Sequence, residues 1–142
     1  MVEKYSQYKG ETCEILDCVL EFYVLEKGFV IPDPYVGFIL GQVFISRKSI
    51  KHIVERRKDE GKSLEEILKI FERIPRVIER PEFITKNDSL NYPNSVAQGL
   101  FFEELNRGIV VILSDFIQKR RHLITAYTKK PRDYGSFFKV EK

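Results

Sequence analysis

Tryptophan is absent from this chain, and it holds one Met, two Cys and two His in 142 residues. Each scarcity excludes something. Cys13 and Cys18, five apart with no His beside them, do not make a zinc-type ligand set. They read as two buried thiols rather than a disulfide framework. Acidic residues do not gather with His at metal-ligand spacing, so no metal and no cofactor is expected. Glycine-rich phosphate loops, the Walker pattern and the Rossmann fingerprint are missing. Glu103-Glu104 is a carboxylate pair, but neighbours on a strand point to opposite faces, so no acid/base dyad follows. No apolar run approaches the roughly 20 residues that span a bilayer. The start, Met1-Val-Glu-Lys-Tyr-Ser6, lacks a signal-peptide pattern. The expectation is a cytoplasmic protein with no membrane partner.

Against these absences stand 11 Phe and 7 Tyr in a chain that is 43% hydrophobic, ample for one buried core in a single domain. Charge is unevenly placed. Residues 1–44 hold three Lys/Arg against seven Asp/Glu, leaving 21 against 14 in residues 45–142. A basic C-terminal two-thirds under a modest net charge of +3 points to a polyanionic partner, RNA or another nucleic acid. The plainer alternative is a surface laced with ion pairs.

Punctuation and periodicity set the order of elements. Glu14, Asp17 and Glu21 lay one polar stripe on an otherwise apolar helix over Thr12–Lys27, stopped by Gly28. Phe29–Ile31 reads as a short strand and Pro32-Asp-Pro34 as a turn. Tyr35–Ile45 reads as one extended stretch, bent or bulged at Gly37 and Gly41. Ser46 caps a helix reaching about Glu60, with Ile50, Ile53 and Val54 as its core stripe. Ser63-Leu-Glu-Glu66 is a capping box opening a second helix that buries Leu64, Ile67, Leu68, Phe71 and Ile74, with Pro75 ending it. Short strands are expected at Arg76–Glu79 and Glu82–Lys86. Asn87–Ser95 is a loop. A meander of Val96–Glu103, Gly108–Leu113 and Arg120–Thr128 follows, turning at Asn106-Arg-Gly108 and Ser114-Asp115. The expected fold is α+β: two or three helices on one face of a curved antiparallel sheet of four to five strands. Residues 1–42 would form an acidic N-terminal segment, 43–128 the core and 129–142 a basic tail.

Residues 43–128 resemble the barnase–EndoU–colicin–RelE-like nuclease superfamily, in its small phage and prokaryotic branch. The resemblance rests on Phe-Ile-Ser46, the helix bearing His-Ile53, Ile-Pro-Arg-Val-Ile78, the meander and the last strand ending Leu-Ile-Thr-Ala-Tyr127. It implies metal-independent RNA cleavage by attack of the 2′-hydroxyl on the neighbouring phosphate, in a toxin or mobile-element protein. It also implies His52 as general acid or base, with Thr125 and Tyr127 on the sheet face at the cleft.

The residues can be weighed on their own chemistry. His titrates near neutrality and can take or give the proton that phosphodiester cleavage requires. His52 lies opposite the Ile50–Ile53–Val54 stripe, with Lys48 and Arg56 one turn away on the same ridge; an ordinary solvated helix face looks the same. On the last strand side chains alternate, so Arg121, Leu123, Thr125 and Tyr127 share one face, and Arg120, His122, Ile124 and Ala126 the other. Ile124 and Ala126 suit packing under the helices. That leaves Arg121 to hold phosphate, Thr125 to donate a hydrogen bond to it and Tyr127 to stack or move a proton. As plain structure, Thr125 is a β-former and Tyr127 a rim aromatic. Lys86 and Lys129 complete the candidate phosphate ligands. Two other readings stand beside the endoribonuclease. One is a non-catalytic nucleic-acid-binding module using Tyr92, Tyr127 and Tyr134 as stacking platforms. The other is a protein-interaction adaptor of a small genetic element, whose acidic segment docks a basic partner. The protein partner considered for the chain is an antitoxin-like protein or a second copy of itself.

Overall fold

The computed structural model describes residues 37–87 and 90–132. The expected helix at Thr12–Lys27, the strand at Phe29–Ile31, both cysteines and Tyr134 lie outside the described residues. Among those described, the order is β1 (Gly37–Leu40), β2 (Val43–Ser46), α1 (Arg47–Asp59), α2 (Leu64–Glu79), β3 (Phe83–Lys86), β4 (Val96–Phe102), β5 (Arg107–Leu113) and β6 (Arg121–Lys129). The strands form one sheet in the order β1-β2-β6-β5-β4-β3. The fold is α+β, as expected, but with six strands and a mixed sheet: β2 pairs parallel to β6, every other pair being antiparallel.

Local chemistry explains the helices. The Ser46 hydroxyl accepts the Ser49 N–H at 3.0 Å, so α1 starts where β2 stops. Ser63 and Glu66 close the capping box that opens α2. Ile50, Ile53 and Val54 of α1 and Ile67, Leu68, Phe71 and Ile74 of α2 are buried in the main core, against Ile109, Val111, Leu123 and Ala126 of β5 and β6. Each of these side chains larger than alanine stabilises the fold by about 1.5–3 kcal/mol relative to exposure. Both helices therefore cover the same face of the sheet, α1 over β2 and β6, α2 over β4 and β5.

Three expectations are corrected. Tyr35–Ile45 is not one bent strand: Gly41, at φ 62°, turns the chain back and β1 pairs with β2 as a hairpin. Pro75 does not end α2, which continues through Arg76–Glu79, the segment expected as a strand. Proline removes one backbone donor, but Val77 continues the buried stripe, and its burial offsets the lost bond. The turn before β6 is not at Ser114-Asp115 but four residues on. Gln118 (φ 53°) and Lys119 (φ 72°) form a two-residue turn, closed by the Ile117–Arg120 bridge.

One irregularity decides where the β6 side chains point. Ile112 of β5 pairs with Thr125, while the next residue, Leu113, pairs with Leu123, so Ile124 is an extra residue in β6. This bulge flips the alternation. Arg121, Leu123, Ala126 and Thr128 turn toward the helices. His122, Thr125, Tyr127 and Lys129 turn toward the opposite face, where Ile124 and Tyr127 pack on a smaller cluster of Ala97, Val110 and Ile112.

Candidate nucleic-acid interface

Helix α1 carries six Lys/Arg and His52 against two acidic residues, Glu55 and Asp59. Only Arg57 of these cations is buried. Its guanidinium donates to the carbonyl oxygen of Ala126 and pairs with Glu60 at 2.8 Å. Ser49, on the same flank, donates to the carbonyl of Leu123 at 2.6 Å. These two bonds have a topological cause. β2 pairs with β6 only through Val43–Arg121 and Phe44–His122 before turning into α1. Side chains of α1 then take over the β6 edge, supplying donors to carbonyls that would otherwise be left without strand partners.

With Arg57 turned inward, Lys48, Lys51, His52 and Arg56 stand exposed on the outer surface of α1. The expected Lys48–His52–Arg56 ridge is present, with Lys51 beside it. Among the described residues, none of these four makes an ion pair or a side-chain hydrogen bond. The exposed face of α2 is different in kind. There Glu65, Glu66, Glu72 and Glu79 interleave with Lys69, Arg73 and Arg76, and Arg73 reaches Glu72 at 3.3 Å and Glu104 at 3.5 Å. A phosphate backbone would meet Lys48, Lys51 and Arg56 on α1 and mixed charge on α2.

The other candidate residues are dispersed. Thr125 and Tyr127 project from the sheet face turned away from the helices, whereas His52 projects from the outer surface of the helical layer. The imidazole and the hydroxyl expected to share one RNA linkage thus leave the molecule on opposite sides. Arg121 does not share the Thr125–Tyr127 face, because the bulge at Ile124 falls between them. Its guanidinium instead donates to the carbonyls of Ser114 (2.7 Å) and Asn94 (3.2 Å) and lies 4.4 Å from the centre of the Phe116 ring. It fastens two loops together. Tyr127 is half-buried between cations, with Arg57 6.0 Å and Lys129 5.9 Å from its ring centre. Burial pushes its hydroxyl above the ordinary phenol value, against the opposing pull of Arg57, so it stays protonated at neutral pH and is a poor base. His122 meets the Phe44 ring at 5.2 Å on the same sheet face. Lys86 sits on edge strand β3, three strand spacings or about 14 Å from β6. Tyr92 is exposed on the β3–β4 loop.

Two features escaped the reading of the sequence. Lys51 lies off the i±4 ridge, although its exposure follows from the same helical wheel. Phe116 and Ile117 are more than half exposed in a segment of turn formers, where a Phe-Ile pair signals a surface that is not merely solvated. Among the described residues, no group of His, Cys, Asp and Glu has the arrangement of a metal site, and no helix is long and apolar enough to cross a membrane. Comparison with protein-family models, with curated proteins and with solved structures finds no match.

Proposed function

We propose that this protein is a nucleic-acid-binding module whose α1 outer face grips the phosphate backbone. The single observation that carries the reading is the set Lys48, Lys51, His52 and Arg56, exposed together on one rigid helix and, among the described residues, without an ion pair. A helix capped by Ser46 and bonded to the sheet edge through Ser49 and Arg57 holds Lys48, Lys51 and Arg56 in fixed positions beside His52. Binding of this kind is dominated by release of counterions from the nucleic acid, so it weakens steeply with salt.

The test is fluorescence anisotropy with labelled RNA and DNA between about 50 and 200 mM salt, where the three Lys/Arg contacts of α1, at a slope of about 0.9 each, predict a loss of roughly 40-fold in affinity. Lys48→Glu, Lys51→Glu and Arg56→Glu are expected to weaken binding to all sequences alike, each lowering the salt slope by about one. Absence of binding at low salt sinks the reading. RNA cleavage in EDTA that disappears in both His52→Ala and Thr125→Ala would replace it with the metal-independent endoribonuclease.

A further inference from the structure

At the end of the sheet where β6 begins, α2 and the β1–β2 hairpin leave a pocket of about 340 Å³ on the helix-bearing side. That is the lower end of the size range of small-molecule sites. One wall is the stack of Arg121 on Phe116. Arg121 is itself held by the Asn94 and Ser114 carbonyls, so the ring is braced from one side while the residue remains 54% exposed. Ile78 contributes to an aliphatic floor, and the polar groups are Gln42, Gln98 and Glu79. The carboxamide oxygen of Gln98 is buried and, among the described residues, without a hydrogen-bond partner. An unsatisfied acceptor of this kind costs stability unless a ligand donor meets it.

We infer that this pocket takes an amino-bearing nucleobase (adenine, cytosine or guanine) splayed out of a single strand that runs along α1. A base has flat faces to lie against the Arg121–Phe116 stack and the aliphatic floor. Its exocyclic amino group supplies donors to Gln98 and to the Glu79 carboxylate, while Gln42 offers both a donor and an acceptor to the rest of the edge. Uracil lacks that amino group and offers only its single N3–H, so one of the two acceptors stays unmatched. The inference rests on the nucleic-acid reading, and it names the part of the polymer that the α1 cations do not address. β2 is four residues long, so α1 begins about 13 Å from the pocket end of the sheet, two nucleotides' reach of an extended strand.

The experiment uses the full chain labelled with ¹⁵N and titrates it with the four ribonucleoside 5′-monophosphates and with ribose 5-phosphate. Adenosine, cytidine and guanosine monophosphates are expected to shift the side-chain amide resonances of Gln42 and Gln98. Uridine monophosphate should bind more weakly and ribose 5-phosphate more weakly still. Phe116→Ala and Gln98→Met should each weaken mononucleotide binding about tenfold, while Lys48→Glu with Arg56→Glu leaves it unchanged and weakens only oligonucleotides. Nucleotide binding in the pocket with no salt-dependent oligonucleotide binding would keep the pocket and discard the α1 reading. Equal affinity for ribose 5-phosphate, or no shift of the Gln42 and Gln98 amides at millimolar nucleotide, would overturn the base assignment.

Discussion

The guanidinium of Arg57, on the inner flank of α1, donates to the carbonyl oxygen of Ala126, 69 residues away in β6. The strand β2 that should have paired with this edge has already become α1, and Arg57 stands in for the missing backbone donor. Truncation to Arg57→Ala leaves that carbonyl unmatched and removes packing against Tyr127. The expected loss is about 2 kcal/mol in chemical denaturation, within the usual range for stranding a buried polar group. A loss below experimental error would mean that water replaces the guanidinium freely.

Gly37 opens β1 where a Cβ would run into backbone: the carbonyl oxygen of Ile45, and the Cα of Ser46 at 2.7 Å. Neither can move without breaking the hairpin register. Gly37→Ala should cost about 2 kcal/mol, typical of overpacking against a structure that cannot yield. Gly41→Ala tests a different cause, since nothing lies within 4 Å there and only the positive φ opposes the side chain. Its smaller loss should be recovered by Gly41→Asn, which tolerates that conformation.

The turn before β6 places Gln118 and Lys119, both with side chains, in the left-handed region. That conformation costs non-glycine residues about 1–2 kcal/mol each. The double substitution Gln118→Asn with Lys119→Gly supplies the residues such a turn prefers. It is expected to raise the melting temperature by a few degrees. A fall in melting temperature would show that the Lys119 side chain contributes more than the turn costs.

The α2 capping box predicts an acid-side dependence of stability. The Ser63 backbone N–H bonded to Glu66 holds that carboxyl below its ordinary 4.5, outweighing the opposing desolvation, with the Ser63 hydroxyl and Lys62 and Lys69 adding to the lowering. A depressed carboxyl stabilises the fold above its unfolded value, and the contribution is lost as pH falls through the lowered one. Glu66→Gln should therefore be less stable than the parent near neutrality and converge with it as pH falls through the lowered value of Glu66. Ser63→Ala removes the cap and should cost about 1 kcal/mol at neutral pH. Denaturation curves at several pH values check both.

Much of this fold is legible in the residues. Ser46, Ser63 and Glu66 announce two helix starts, and the 3.6-residue spacing of Ile67, Leu68, Phe71 and Ile74 names the buried stripe. The four C-terminal strands fall within one or two residues of their expected bounds, because turn formers separate β-branched runs. The exposed Lys48–His52–Arg56 ridge follows from the wheel alone. The candidate catalytic grouping is where local rules fail. Alternation along β6 holds only for an unbroken ladder, and the extra residue Ile124 parts Arg121 from Thr125.

What the sequence by itself determined is therefore local: caps, periodicities and the outward row of cations on α1, each settled by neighbours three or four residues away. Only the tertiary structure decided the parallel pairing of β2 with β6, the passage of Arg57 to the Ala126 carbonyl and the bulge that sends Thr125 to the far face. These depend on which distant backbone groups lack partners once the chain is packed. Hydrogen-bond demand of that kind is a property of the assembled sheet and is carried by no single segment.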